Sequence, residues 1–391
     1  MKHLLSRLTN LCRAEWSYML SCAGVVSVKH MPVFVSVEPA DYCQLACPQC
    51  PVGMSNSGAA SERKQHCLLS LTEFEHILSQ VAPYAWTMQF FFQGEPLLNK
   101  DLPEMIRRAH EEGIYTIVST NAQALTKEMA ERLVAAGLNR IIVSMDGATQ
   151  HSYEQYRVGG KLQKVLDGLR FMREAKQRHH ATTTIELQCL LLRSNEHEWQ
   201  LLRQHYREWG ADKLSFKTAQ FYDFYYGNPL MPSDKRYSRY SPTKNNNLSP
   251  ITYHLKQKRW LRLWHKWFGL TPCRRLWTGC VITTTGSVLP CCFDKAAAHA
   301  YGSITNNQSP ITNNLSPSLN PSLRIDTPDN GRQFIPLKMA ALSYEGIFGH
   351  NGFDTAAIKA YFALMVTDIF AIATLVAVLI FIIWSHMVCF C

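Results

Sequence analysis

From Val33 to Lys217, short apolar β-branched runs alternate with helical segments, and this alternation limits the possible folds more than any other feature of the chain. The runs are 33–37, 86–92, 115–119, 140–144, 183–190 and 213–217. Helix signals fall between them. Ser70-Leu71-Thr72-Glu73 is a capping box ahead of a face carrying Leu71, Phe74, Leu78 and Val81. Pro103 opens a helix running to His110, and Thr126 begins one that turns Met129 and Leu133 inward and stops at Gly137. Leu162, Val165, Leu169 and Met172 mark a further face, and Asn195 is expected to cap the helix carrying Trp199, Leu202 and Tyr206. Strand–helix–strand repetition predicts a parallel sheet covered by helices, an α/β fold. Six units are too few for a closed eight-stranded barrel, so the expected architecture is a curved, partial (β/α)6 TIM-like barrel. In such sheets ligands gather beyond the C-terminal ends of the strands, which directs attention to the loops there.

The first of those loops holds Cys43, Cys47 and Cys50 as C-x3-C-x2-C. A cubane iron–sulfur cluster takes four thiolates, so three at tight spacing leave one iron for a small molecule. Zinc also takes thiolates from short loops, and a zinc knuckle is the competing reading of the triplet alone. Thirteen cysteines in 391 residues fit metal ligation in a reducing compartment better than a secreted disulfide framework. A cytoplasmic location is therefore expected. The net charge of +10 is diluted, since only 18% of residues are charged, and no nucleic-acid partner is expected.

Other strand ends carry polar groups. The second closes in Phe92-Gln93-Gly94-Glu95-Pro96, which by itself reads as a turn. The third closes in Ser119-Thr120-Asn121, suited to a sugar, a carboxylate or a simple helix cap. The fourth closes in Ser144-Met145-Asp146-Gly147, and Arg157 follows in Tyr156-Arg157-Val158-Gly159-Gly160, either as a surface residue or as a guanidinium for a carboxylate. Gln188 on the fifth run faces either a cofactor or the core.

Triplet, Gly-Glu-Pro segment and strand order together make the region resemble the radical S-adenosylmethionine (SAM) enzymes. That resemblance implies a [4Fe-4S] cluster on Cys43, Cys47 and Cys50, with the methionine amine and carboxylate of SAM on the open iron. It also implies reductive cleavage to a 5'-deoxyadenosyl radical that abstracts hydrogen from a small-molecule or peptide substrate. Gly94 and Glu95 would hold the methionine amine, with Gln93 where relatives carry glycine. Ser144 would lie near the cofactor and Arg157 at its carboxylate. An electron donor such as a flavodoxin or ferredoxin is implied as well. The alternative from another class is a non-catalytic or degenerate membrane-tethered metal-binding or iron–sulfur-binding protein.

A second cysteine region begins at Cys273, with Gly286 and Cys291 in a C-x12-G-x4-C pattern and a hairpin expected around Gly286-Ser287. It resembles the start of a SPASM or twitch extension, which implies Cys273 and Cys291 as two ligands of a second iron–sulfur cluster. Cys280 and Cys292 are extra thiols, Cys292 pointing away from Cys291 if the segment is a strand. No Cys-x2-Cys pair follows, so the extension is incomplete. Instead, Asn246 to Thr252 recurs as Asn306 to Thr312 and partly as Asn313 to Pro317, in the manner of inserted linkers.

The ends of the chain complete the organisation. Lys2, Arg7 and Arg13 among Leu4, Leu5, Leu8 and Leu11 read as an amphipathic helix and not as a signal peptide. Lys256 to Trp267 interleaves cations with three tryptophans, as a lipid-facing or nucleic-acid-facing helix or as a connector packed on the barrel. Ile369 to Cys391 contains no Asp, Glu, Lys or Arg. It reads as a C-terminal hydrophobic helix, a transmembrane anchor or a buried segment. The expected divisions are residues 1–30 for the first helix, 31–230 for the core and 231–272 for a linker with the basic aromatic segment. Residues 273–302 hold the SPASM-like part, 303–335 a low-complexity linker and 336–391 the tail.

Overall fold

Six parallel strands form the centre of the molecule in chain order: β1 (Phe34–Val37), β2 (Thr87–Phe90), β3 (Tyr115–Thr120), β4 (Arg140–Ser144), β5 (Thr184–Leu191) and β6 (Lys213–Thr218). The structure is a computed structural model that describes residues 2–22, 27–58, 66–221, 224–243, 252–255 and 273–304. Each strand sits one step along from its predecessor, with Val35 opposite Met88, Gln89 opposite Ile117 and Ser144 opposite Gln188. Val35, Val37, Met88, Phe90, Val118, Ile141, Val143, Ile185 and Leu187 are buried in one core, as a sheet covered by helices requires.

Those helices are α3 (Leu71–Val81), α4 (Leu102–Glu111), α5 (Lys127–Ala135), α7 (Leu162–Arg178) and α8 (Trp199–His205), preceded in the chain by α1 (Leu4–Cys22) and α2 (Pro51–Asn56) and joined by the short α6 (Gln150–Glu154). The capping box at Ser70 and Glu73 is present, and Thr126 caps α5 through the Met129 N–H. Gly137 has φ +80° beyond α5, a conformation that glycine adopts without strain. Asn195 departs from expectation. It lies in a 3-10 turn (Arg193–Glu198) ahead of α8, fully buried, and its amide donates to the carbonyls of Asp146 (2.9 Å) and Leu190 (2.8 Å). It ties two strand-end loops together instead of capping the helix.

The sheet continues past β1. After a small hairpin of β7 (Tyr240–Thr243) and β8 (Thr252–Leu255), α9 (Arg274–Thr278) leads into β9 (Gly279–Ile282), which pairs parallel to β1 with Val35 opposite Cys280. β10 (Ser287–Leu289) and β11 (Gly302–Ser303) then add antiparallel strands, giving nine in one sheet among the described residues. Gly286 turns the expected hairpin at φ +75°.

α1 covers the N-terminal end of the sheet with a buried face that is small and polar: Arg7, Asn10, Leu11, Ala14, Ser17 and Ser21. Of the leucines of the expected apolar face, Leu11 is buried and Leu4 and Leu8 are half-buried, while Leu5 is 79% exposed and Arg7 joins the buried face. The reason lies in the helix ends beneath. The Arg7 guanidinium donates to the carbonyls of Ala82, Glu112 and Gly113 at 2.8–3.1 Å, satisfying the open ends of α3 and α4. Asn10 and Met31 exchange two hydrogen bonds, of 2.9 and 2.8 Å. The basic aromatic segment, the C-terminal hydrophobic helix and, apart from Thr252 in β8, the repeated phrases lie outside the described residues. Among the described residues no helix is long and apolar enough to cross a membrane.

Candidate active site at the C-terminal ends of the strands

The loop leaving β1 carries the three cysteines into one apolar cluster with Leu45, Tyr156, Leu192, Phe221 and Tyr240, with Cys47 buried and Cys43 and Cys50 half-buried. Local chemistry fixes the loop. Cys50 is the residue before α2, Pro51 starts the helix, and the Cys50 N–H donates to the Cys47 carbonyl at 3.1 Å. α2 can lie on the loop because residue 53 is glycine: a Cβ there would stand 2.3 Å from the Cys47 carbonyl oxygen. Asn56 closes the turn by donating to the carbonyls of Cys43 (2.7 Å) and Leu45 (2.8 Å).

Donors surround the sulfurs. Asn121 Nδ2 is 3.3 Å and the Leu45 N–H nitrogen 3.5 Å from Cys43 Sγ, and Arg157 Nη1 is 3.9 Å from Cys47 Sγ. Burial pushes the Cys43 thiol up to about 12 and raises Cys47 against the opposing charge of Arg157. Such thiols become thiolates when a positive centre binds among them. Among the described residues, no three His, Cys, Asp or Glu side chains converge on a single ion. Three clustered thiols with donors at their sulfurs fit a cubane, in which each thiolate takes a separate iron.

Gly94 and Glu95 stand directly beside this loop. A Cβ on Gly94 would lie 2.1 Å from the Ala40 carbonyl oxygen, and the Glu95 N–H donates to the Tyr42 carbonyl at 2.8 Å. The Glu95 carboxylate points inward. It accepts from Thr120 Oγ1 (2.6 Å), the Asn121 N–H (2.8 Å) and the Leu97 N–H (3.1 Å), while burial raises its pKa. Glu95 therefore locks the loop after β3 to the loop after β2. Asn121, fixed by this lock, is what reaches Cys43.

Arg157 is held from behind by Asp146, fully buried at the end of β4, whose Oδ2 accepts from Arg157 Nε at 2.6 Å. Asp146 Oδ1 accepts from the Leu190 N–H at 2.6 Å. The sequence reading placed Asp146 at a strand end and gave it no role, so it missed this anchor. An acid at a strand end, eleven residues before the arginine it orients, was the available signal. Ser144 is buried at the same strand end, opposite Gln188 on β5.

The second cysteine region returns to the same side through the loop after β10. Gln93 Nε2 donates to the Lys295 carbonyl at 2.8 Å, and Lys295 Nζ lies 4.2 Å from the centre of the Phe92 ring. Cys291 and Cys292 lie beyond the strand, so the condition under which they were expected to diverge is not met, and their thiols hydrogen-bond each other. That bond and the Arg275 guanidinium, 3.9 Å from Cys292 Sγ, pull Cys292 below the usual thiol range, while the same bond raises Cys291. Cys273 precedes α9 within electrostatic reach of Cys291, whereas Cys280 is buried on β9 in the main core. The structure thus brings Cys273, Cys291 and Cys292 into one neighbourhood and leaves Cys280 out.

Residues 37–203 match the profile of the Radical SAM superfamily. An AdoMet-dependent heme synthase of Methanosarcina barkeri is 28% identical over 162 residues, 41% of this chain and 45% of that protein. A PqqA peptide cyclase of Rhodopseudomonas palustris is 27% identical over 317 residues, covering 76% of this chain and 75% of the cyclase. The chain thus spans under half of the first relative and three quarters of the second. The crystal structure of Streptococcus suis SuiB bound to precursor peptide SuiA superposes with a TM-score of 0.51 at 14% identity, covering 78% of this chain and 68% of SuiB. This likeness is one of fold.

Proposed function

We propose, from the premise that this chain belongs to the radical SAM superfamily through its residues 37–203, that it cleaves SAM reductively and abstracts hydrogen from a peptide substrate. The observation that carries the proposal is the clustering of Cys43, Cys47 and Cys50 with Asn121 and Arg157 at their sulfurs. When bound, a [4Fe-4S] cluster with SAM on its open iron supplies the one-electron chemistry that generates a 5'-deoxyadenosyl radical.

The protein's part is to hold and shield. Asn121 and Arg157 donate toward two of the thiolate sulfurs, and hydrogen bonds to cluster sulfurs adjust the reduction potential. Asp146 keeps the guanidinium in place, and Glu95 keeps Asn121 in place. Leu45, Tyr156, Phe221 and Tyr240 exclude water on the barrel side, which protects a reactive radical from side reactions. Gly94 would offer backbone groups and Ser144 a hydroxyl to a cofactor bound here.

A peptide substrate is supported by the coverage of the PqqA peptide cyclase, which extends into the hairpin region beyond the shared domain. The electron would come from a flavodoxin or ferredoxin. Cys273 and Cys291, with Cys292, would form a partial second thiolate set. A membrane anchor in residues 369–391 is a separate proposal, tested by comparing membrane pelleting of the full chain with a chain ending at 368.

Anaerobic reconstitution with iron and sulfide, then dithionite and SAM, should yield 5'-deoxyadenosine, and Cys47→Ala should reduce it to background. Equal production by wild type and Cys47→Ala, or none by an iron-loaded wild type, would overturn the proposal.

A further inference from the structure

Two of the three clustered thiols have their partners on the barrel. Asn121 Nδ2 stands 3.3 Å from Cys43 Sγ, and Arg157 Nη1 stands 3.9 Å from Cys47 Sγ. The side of Cys50 is reached from the far end of the chain, by the ammonium of Lys295 in the loop after β10.

That lysine is pinned to the end of β2 by both its backbone and its side chain. Gln93 Nε2 donates to the Lys295 carbonyl at 2.8 Å, and the Gln93 N–H donates to Glu38 Oε1 at 3.1 Å. The Lys295 N–H donates to the Phe293 carbonyl at 2.9 Å, which tightens the turn. Its Nζ lies 4.2 Å from the centre of the Phe92 ring and 3.5 Å from the Phe92 carbonyl oxygen. Burial lowers the pKa of this ammonium, whereas Cys292, Cys50, Glu38 and Cys291, in that order, favour its charge. Cys50 and the second thiol set therefore share one covered cation.

Reducing an iron–sulfur cluster adds a negative charge, so a fixed cation nearby stabilises the reduced form and raises the potential. Cover strengthens the effect, because little water screens it. Resting on the cluster reading above, we propose that Lys295 is the third partner of the triplet, a positioning residue by which the hairpin raises the reduction potential of the cluster on Cys43, Cys47 and Cys50. The hairpin then governs how readily the site accepts the electron from its donor protein.

The test is a redox titration of anaerobically reconstituted full-length protein, followed by electron paramagnetic resonance on the cluster signal whose g-values respond to SAM. At the potential that half-reduces the wild-type cluster, Lys295→Met and Lys295→Gln should each lower the reduced-to-oxidised ratio at least threefold. That is a downward shift of about 28 mV, at 59 mV per tenfold for one electron. Lys295→Arg should keep the wild-type ratio. So should Lys164→Met, which removes an exposed cation from α7. Iron content and far-UV circular dichroism should match wild type throughout. An unchanged or raised ratio in both neutral variants overturns the proposal. So does a fall that Lys295→Arg does not restore, which would make the role one of packing, or an equal fall in Lys164→Met, which would report net charge alone. Loss of iron in both neutral variants also overturns it, since the lysine would then serve assembly of the site. A wild type with no reducible signal that responds to SAM would instead overturn the radical SAM reading, a separate result.

Discussion

Single residues divide into those that touch sulfur and those that hold the ones that do. The triplet is a local feature of spacing, and the structure brings its three thiols into one apolar cluster. Asp146 was not legible in the sequence, since its role depends on Arg157 folding back across α6 onto the end of β4. Asp146→Asn leaves a buried guanidinium beside Cys47 without its charge partner, and breaking such a pair costs about 3–5 kcal/mol. Urea unfolding of the apoprotein should show that loss, and 5'-deoxyadenosine formation per cluster should fall at least tenfold. The Glu95 carboxylate accepts from Thr120, Asn121 and Leu97, and its hold on the cofactor stays a proposal. Sequence could identify the segment but not which way its acid points.

Elements carry the next layer of constraint. α2 escaped the sequence reading because six residues, one of them a glycine, give no periodicity to detect. Its contact with the cysteine loop is nevertheless among the tightest in the site. Gly53→Ala places a methyl against the Cys47 carbonyl, and iron content after reconstitution should drop by more than half while far-UV circular dichroism is retained. α1 was readable as a helix with Leu11 on its buried face, but the burial of Arg7 was not, since its guanidinium caps two helix ends distant in sequence. Arg7→Met strands three carbonyls and should destabilise the apoprotein by about 2–4 kcal/mol, with SAM cleavage per cluster unchanged.

α6 is tied down by Glu198. Burial pushes this carboxylate up, but hydrogen bonds from Ser152, Thr149 and the Ala148 N–H outweigh it and leave the folded pKa below 4.5. A depressed carboxylate contributes stability above its unfolded pKa and loses it as pH falls through the folded value. Apoprotein stability should therefore decline below about pH 4.5, and Glu198→Gln should flatten part of that decline while lowering stability at pH 7.

At the scale of the whole molecule, the six-strand order was read correctly because each unit is built from neighbouring sequence. The attachment of the hairpin was not readable. Pairing of β9 with β1 joins residues more than two hundred positions apart, and no periodicity reports such a contact. The consequence is that residues 273–304 are part of the sheet: Ile282 and Leu289 are fully buried, and β9 covers the edge of β1. A chain ending at residue 272 should therefore be insoluble or aggregate on expression, whereas a free-standing barrel would stay in solution.

The central claim is that the three clustered thiols hold a cubane with one iron left for the amino-acid end of SAM. Electron paramagnetic resonance of the anaerobically reconstituted, dithionite-reduced protein tests this directly. An S = 1/2 cluster signal should appear, shift its g-values when SAM is added, and stay in place when 5'-methylthioadenosine, which lacks the amino acid, is added. A protein that shows no cluster signal, or one indifferent to SAM, would contradict the account.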